Sequence, residues 1–338
     1  MPKKKEEKQK ESIQDILKDI PSSPIEIVPT PNPLLNYILG GGIELGSVIQ
    51  ISGEAGIGKS TMALDLAHCL CANDKNVLYI DTEGSISKEI LSSVGLAEVM
   101  DEKLFIVRNN TFQNVESIID RFINTDQIHC IIIDSIAGLI HSGFTDITNK
   151  KKISITTDNT NYDSKKLNLF MKKYNAIAKT KNICIIFTNQ NRNSVNMKTG
   201  STVKNYGCKA VTYFADVILK IKNQKADNDF KKLTNSIEKG VALELEIIKS
   251  NKHAPKAFPI FLLYGKGISS IINNIYVLIQ LGTIQKDGNG YYSIIKSKSK
   301  SKSKYKAHGI KELYEFYLHF LIEDEAVEKA VVNYYNSL

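Results

Sequence analysis

The sequence predicts an α/β fold: a mainly parallel, twisted sheet with helices on both faces, a short N-terminal helix and a small α+β C-terminal domain. Three observations carry this. Apolar, β-rich runs recur from about 45 to 265 with helical segments between them. Most of these runs are continuously apolar, as strands buried on both faces are. A glycine-rich loop stands directly between one such strand and an amphipathic helix.

In chain order, residues 1–24 are polar except for Ile13, Ile16, Leu17 and Ile20, whose spacing places them on one face of a short helix. "SSP" at 22–24 and "PTPNP" at 29–33 then punctuate the chain, because proline continues neither a helix nor a central strand. The expected strands are "SVIQIS" (47–52), "NVLYID" (76–81), "HCIIID" (129–134), "NICIIFTN" (182–189), "DVILKI" (216–221), "VALELEII" (241–248) and "FPIFLLY" (258–264). All read as buried parallel strands except "VALELEII", which turns Glu244 and Glu246 outward and reads as half exposed. Polar tracts at 141–165 and 191–209 read as loops. After Gly267 the pattern changes to a helix, a short connection and a hairpin turned at "DGNG" (273–294), then a flexible basic run "KSKSKSKSK" (296–304) and helices over 309–335. The expected organisation is therefore an N-terminal segment 1–24, a core 25–268 and a C-terminal domain 269–338.

With 338 residues, 42% of them hydrophobic, the chain can bury one large core with appendages. The five cysteines, Cys69, Cys71, Cys130, Cys184 and Cys208, form no Cys-x-x-Cys pair, and three lie in apolar runs, which suits a reducing compartment. No stretch is apolar for the ~20 residues of a membrane-spanning helix, and the charged N-terminus is followed by no hydrophobic signal core. A cytoplasmic location away from membranes is expected. The net charge of +8 leaves two readings open, a polyanionic partner or a lysine-rich solvated surface.

The chemistry centres on "GEAGIGKST", Gly53, Glu54, Ala55, Gly56, Ile57, Gly58, Lys59, Ser60 and Thr61, which completes G-x-x-x-x-G-K-[ST] between strand and helix. Its glycines let backbone N–H groups turn inward around phosphates, and the helix N-terminus adds partial positive charge. Lys59 neutralises phosphoryl charge and the Ser60 hydroxyl suits Mg²⁺. Asp134, after the apolar run of "HCIIID", is the expected acidic partner of the metal shell. Glu83 in "YIDTEGS" stands where a carboxylate can polarise an attacking water. Asn189 and Gln190 end a further strand, where an amide can distinguish ATP from ADP. The tract 191–209 carries Arg192, Asn193, Lys198, Lys204 and Lys209 among glycines and polar residues, a composition suited to phosphate-backbone binding.

Together these residues resemble the RecA family of DNA strand-exchange ATPases. The likeness runs from about 25 to 294 and includes "LLNYILGGGIELGSVIQISG", "YIDTEG", "IIIDSIAGL", "IIFTNQNR", "KSNKHAPKAFPIFLLYGKGI" and "VLIQLGTIQKDGNGYYS". The divergence elsewhere suggests a phage or mobile-element member. The resemblance implies a RecA-like ATPase core using ATP and Mg²⁺, a helical homo-oligomeric filament on single-stranded DNA, pairing with double-stranded DNA, and a loader or single-strand-binding protein as a further partner. It implies Glu83 as the catalytic carboxylate, Gln190 as the nucleotide sensor, 141–161 and 191–209 as DNA loops, and residues 1–24 as a polymerisation segment. Lys252 would act on the γ phosphate of a neighbouring subunit; Lys249 could share that role, with Ser250 as the alternative occupant of its place. The only arginines are Arg108, Arg121 and Arg192, so no arginine after Arg192 can supply the trans cation that ring motors use. The chain departs from its relatives in lacking a tyrosine after Glu83 to stack on adenine and a phenylalanine in the second loop, where Val195, Met197 or Tyr206 would have to wedge between bases. A helicase or branch-migration motor and a non-catalytic recombination mediator remain as alternatives at this stage.

Overall fold

The structure, a computed structural model, describes residues 25–140, 157–196, 200–205, 209–223, 240–287, 291–294, 305–321 and 324–337. The expected helix at 13–20, the turn at 288–290, the basic run 296–304, Lys198, Met197, Tyr206, Cys208 and most of the 141–161 loop lie outside the described residues.

The chain enters through β1 (Ile27–Val28) and α1 (Pro33–Leu39). Asn32 caps this helix by accepting from the Leu34 N–H at 3.0 Å, Pro33 supplies the first turn, and Gly40 closes it with a left-handed φ of 74°. β2 (Ile43–Glu44) pairs antiparallel with β1. Then come β3 (Val48–Gly53), α2 (Lys59–Ala72), β4 (Val77–Asp81), α3 (Lys88–Ser93), β5 (Leu104–Arg108), α4 (Phe112–Ile123), β6 (Cys130–Asp134), α5 (Thr157–Lys181) and β7 (Cys184–Asn196). β8 (Gly200–Asn205), α6 (Lys209–Phe214), β9 (Val217–Asn223), β10 (Gly240–Lys249), β11 (Ala257–Leu263) and β12 (Gly267–Ile268) complete the large sheet region. The C-terminal part holds α7 (Ser270–Gln280), β13 (Ile284–Lys286), β14 (Tyr291–Ile294), β15 (Tyr305–His308), α8 (Gly309–Phe316), a π-helical turn Tyr317–Leu321 and α9 (Glu325–Asn336).

The sheet order is β12-β11-β10-β9-β3-β7-β6-β4-β5, with β8 beside the outer half of β7. From β5 to β9 every pairing is parallel. Residues of β3, β4 and β6 are buried on both faces, which explains why their sequences are apolar without alternation. One face is covered by α2 and the C-terminal elements, the other by α4, α5 and α6. β3 lies between β7 and β9, so strand order reverses around it, and the crevice beyond its C-terminal end is the place where open α/β sheets bind ligands.

Some expectations need correction. "FPIFLLY" is not a parallel strand: β11 runs antiparallel to β10, because the connection 250–256 is too short for a crossover. "VALELEII" behaves as expected, with Leu243, Leu245 and Ile247 buried while Glu244 and Glu246 reach the rim and pair with Lys222 at 2.9 and 3.0 Å. "LFIVR" forms the edge strand β5, which the sequence reading missed. The tract 191–209 is not a simple loop: β7 continues through it and folds back as β8, in register from Asn191↔Asn205 to Asn196↔Gly200. The polar stretch from 157 is already helical, as the start of α5. The C-terminal hairpin is joined by a third strand, β15.

The C-terminal elements share one hydrophobic cluster with α2 and β11, through Ile275, Leu278, Leu313 and Val331. The Tyr37 ring of α1 stacks on Tyr335 of α9 with centroids 6.0 Å apart and meets Phe258 edge-on at 5.8 Å. The four described cysteines are free and buried, and burial pushes the thiol of Cys69 up to about 12 and that of Cys71 up to about 11, so neither is a thiolate at neutral pH. No helix among the described residues is long and apolar enough to cross a membrane.

Asp65 on α2, the helix that follows the glycine-rich loop, ties it to β12 by accepting the Ile268 N–H at 3.1 Å. Gly267 lies so close that a Cβ there would sit 2.3 Å from the Asp65 carboxyl carbon. Burial raises the Asp65 pKa to about 6. The folded chain therefore holds this proton more tightly than the unfolded chain, and the contribution of Asp65 to stability falls as pH rises from about 4 to 6. Asp65→Asn keeps an oxygen acceptor without the buried charge; it should raise stability at pH 7.5 by on the order of 1–2 kcal/mol and have little effect at pH 4.5, read by chemical denaturation of both proteins at both pH values.

Candidate active site

The glycine-rich loop leaves β3 at Gly53 and enters α2 at Lys59. A Cβ on Gly53 would lie 2.7 Å from the Ile221 carbonyl oxygen of β9, so only glycine lets the loop depart there. Gly58 caps α2 in the left-handed region, with φ 103° and no side-chain cap bond, so no side-chain oxygen takes up the first N–H groups of the helix. Lys59 is buried, and its Nζ donates to the Glu54 carbonyl at 2.7 Å, folding back over the loop. Burial lowers its pKa, opposed by the nearby charges of Asp134 and Glu83.

Asp134 ends β6 and is 4% exposed. A buried carboxylate is tolerated only when hydrogen-bonded. Here the Tyr79 hydroxyl of β4 donates to Oδ2 at 2.8 Å, and the Thr188 hydroxyl of β7 donates to Oδ1. Burial, with Asp134 alongside, holds the Tyr79 hydroxyl well above its ordinary pKa, so it remains a donor.

Glu83 follows β4 in a tight turn closed by Asp81, whose carboxylate accepts the N–H groups of Gly84, Ser85 and Ile86 at 2.8, 3.2 and 3.1 Å. The Arg108 guanidinium secures the same turn by donating to the Ile86 carbonyl at 2.6 Å. Gln190 pairs in register with Gly53 and donates from Nε2 to Glu83 Oε1 at 3.1 Å. One cleft is thus lined by Ala55, Gly56, Gly58, Lys59, Ser60, Thr61, Glu83, Asp134, Ser135 and Gln190. Its oxygen donors and exposed helix N-terminus suit a hard divalent cation and a phosphate chain.

Sequence reasoning missed Ser135, Thr82, Tyr79 and Thr188. Ser135 and Thr82 directly adjoin the motif residues Asp134 and Glu83, and that adjacency is the signal that could have found them. Tyr79 and Thr188 reach Asp134 from neighbouring strands, and only the strand register shows it.

The structure does not bring Lys249 and Lys252 into this cleft. Lys249 pairs with Ile218 near the start of β9, and its Nζ donates to the Thr212 and Tyr213 carbonyls at 3.2 and 2.9 Å, closing the C-terminal end of α6. Lys252 Nζ pairs with Glu44 Oε2 at 2.8 Å, beside Ser47 and Asp216 at the opposite end of β3 from the glycine loop. The six residues Val48–Gly53 separate these ends by roughly 16 Å. Of the expected DNA-binding residues, Arg192 and Asn193 lie on β7 opposite Lys204 and Val203 of β8, and Lys209 begins α6.

The family model for the RecA N-terminal domain matches residues 3–269. Protein RecA of Mycoplasma mycoides subsp. mycoides SC is 26% identical over 272 residues, covering 79% of this chain and 74% of its own length. Protein RecA of Acholeplasma laidlawii (strain PG-8A) is 26% identical over 279 residues, 81% of this chain and 79% of that one. Protein RecA of Paracoccus denitrificans is 27% identical over 290 residues, 83% and 76%.

Tyr79→Phe deletes one of the two buried donors to Asp134 while keeping the ring. It should destabilise the nucleotide-free protein by about 1–3 kcal/mol in urea denaturation, and an unchanged midpoint would show that the bond contributes nothing.

Proposed function

Because the chain belongs to the RecA family, whose members bind ATP and DNA and serve recombination and repair, we propose that it is an ATP-dependent DNA recombinase. It assembles as a helical filament on single-stranded DNA, pairs that strand with homologous duplex, and hydrolyses ATP when DNA is bound. The observation that carries this reading is the continuity of β7. Gln190 reaches the cleft and bonds Glu83, and the next residues of the same strand form the β7–β8 hairpin that bears Arg192, Asn193 and Lys204. A change in the position of Gln190 is thereby transmitted along one strand to a segment suited to phosphates.

In this reading the loop 53–61 and Lys59 hold the phosphates of ATP, and Ser60 and Asp134 hold Mg²⁺. The metal offsets the negative charge of the phosphates when bound. Glu83 accepts a proton from the attacking water. Lys252, and with it Lys249, serves the site of the adjacent subunit, since neither reaches the cleft of its own chain. Arg192, Asn193, Lys198, Lys204 and Lys209 contact the DNA backbone, and the protein is DNA-associated in the cell.

Electron microscopy on long single-stranded DNA with a non-hydrolysable ATP analogue tests the architecture: continuous helical filaments are expected, lost in Lys59→Ala, whereas closed rings would overturn it. Glu83→Gln should still assemble but lose turnover by about a hundredfold or more. DNA affinity should fall with salt with a log–log slope near ~0.7 per neutralised phosphate, and a flat response would refute backbone binding.

A further inference from the structure

Glu83 is exposed, and an exposed glutamate samples many rotamers unless something holds it. The holder is visible on the adjoining strand tip. Ser135 is 1% exposed, and its hydroxyl donates to Glu83 Oε1 at 2.6 Å. We infer that Ser135 is the positioning residue of the Glu83 carboxylate, fixing which of its two oxygens faces the water. This rests on the reading of Glu83 as the base.

Ser135 does not depend on its own hydroxyl for its place. Its N–H donates to Thr82 Oγ1 at 2.8 Å, and its carbonyl accepts the Thr82 O–H at 2.8 Å. That carbonyl also accepts the Gly138 N–H at 3.0 Å, and the Thr82 N–H donates to the Asp134 carbonyl at 2.9 Å. Gly138 closes over Thr82 so tightly that a Cβ there would lie 2.3 Å from the Thr82 hydroxyl oxygen. The tips of β4 and β6 are therefore stitched by backbone atoms and Thr82, and the Ser135 O–H, a single donor, is left for Glu83.

Both donors to the carboxylate fall on the same oxygen. Ser135 Oγ and Gln190 Nε2 reach Oε1, and among the described residues no donor reaches Oε2. Oε2 is then the atom that takes the proton from water. Of the two donors, Ser135 sits on the rigid stitched tip, while Gln190 stands where β7 passes into its hairpin. The serine thus keeps the carboxylate oriented when the glutamine turns to other work.

Ser135→Ala removes only the hydroxyl and leaves the Thr82 bonds, which use backbone atoms, in place. DNA-stimulated turnover should fall about ten- to hundredfold, the effect of losing one hydrogen bond to a charged group. The KM for ATP and the affinity for a fluorescent non-hydrolysable analogue should stay within about twofold. In the nucleotide-free protein, melting temperatures of Ser135→Ala, Glu83→Ala and the double variant should be non-additive, because the two side chains share one bond. Wild-type turnover in Ser135→Ala beside a dead Glu83→Gln, a loss confined to KM or analogue affinity, or additive melting temperatures would overturn the positioning role alone. Wild-type turnover in Glu83→Gln would instead overturn the base assignment, and this inference with it.

Discussion

Everything in the cleft depends on the register of four parallel strands. Parallel pairing sends successive strand ends to one edge of a sheet, and the pairings Gly53↔Gln190 and Asp81↔Asp134 bring the glycine loop, the Glu83 turn, the acidic tip of β6 and the Gln190 amide out of the sheet at the same height. Because the side-chain period along a strand is two, a slip of one residue in β6 would turn Asp134 to the opposite face, away from Tyr79, Thr188 and Lys59. Slippage is opposed by burial on both faces: Ile51, Tyr79, Ile132 and Ile186 pack towards α2, and Val48, Ile80, Ile133 and Phe187 towards α4 and α5. The apolar strands thus set the geometry of the charged groups at their ends.

That arrangement also accounts for the cost of the site. An aspartate and a lysine buried within one cleft would be unfavourable singly. Each is given partners before any ligand arrives: Asp134 takes hydroxyls from two neighbouring strands, and Lys59 folds onto the carbonyl of Glu54. The lysine contact is the more readily exchanged, since a backbone carbonyl is a neutral acceptor and a phosphate a charged one. Asp134 receives one donor on each oxygen and keeps two lone-pair directions to spare.

Local signals made the motif residues of the cleft legible in sequence, and long-range pairing made the remainder illegible. Gly58, Lys59, Ser60, Glu83 and Asp134 could be read because each stands in a short pattern whose strand-loop-helix context is carried by adjacent residues. The parallel core and the outward turn of Glu244 and Glu246 followed from the absence or presence of alternation. Tyr79 and Thr188 could not be found this way, since what joins them to Asp134 is the pairing of β4, β6 and β7 over separations of 55 and 54 residues. The pairing of β11 was misread because an apolar run does not say which strand lies beside it: β11 points the same way as the core strands but lies next to β10, which runs opposite to them. The hairpin of β7 and β8 escaped because "NRNSVN" is polar and carries no apolar alternation to mark a strand, while its pairing with β8 is a matter of backbone register.

The placement of the lysines constrains how copies of this chain can meet. Lys249 and Lys252 stand at the edge of the sheet where β3 begins, and the cleft stands where β3 ends. If one chain completes the cleft of another with these cations, the surface it offers differs from the surface it accepts, so the contact is heterologous and cannot be satisfied by a two-fold pair. Repetition then produces either a ring or an open helix, according to whether the rotation per subunit closes. In this chain Lys252 already has Glu44 as a partner at 2.8 Å, and Lys249 already caps α6, which follows the β7–β8 hairpin. Joining a neighbour's site would therefore mean exchanging contacts at the end of the sheet remote from the cleft and from the β7–β8 hairpin.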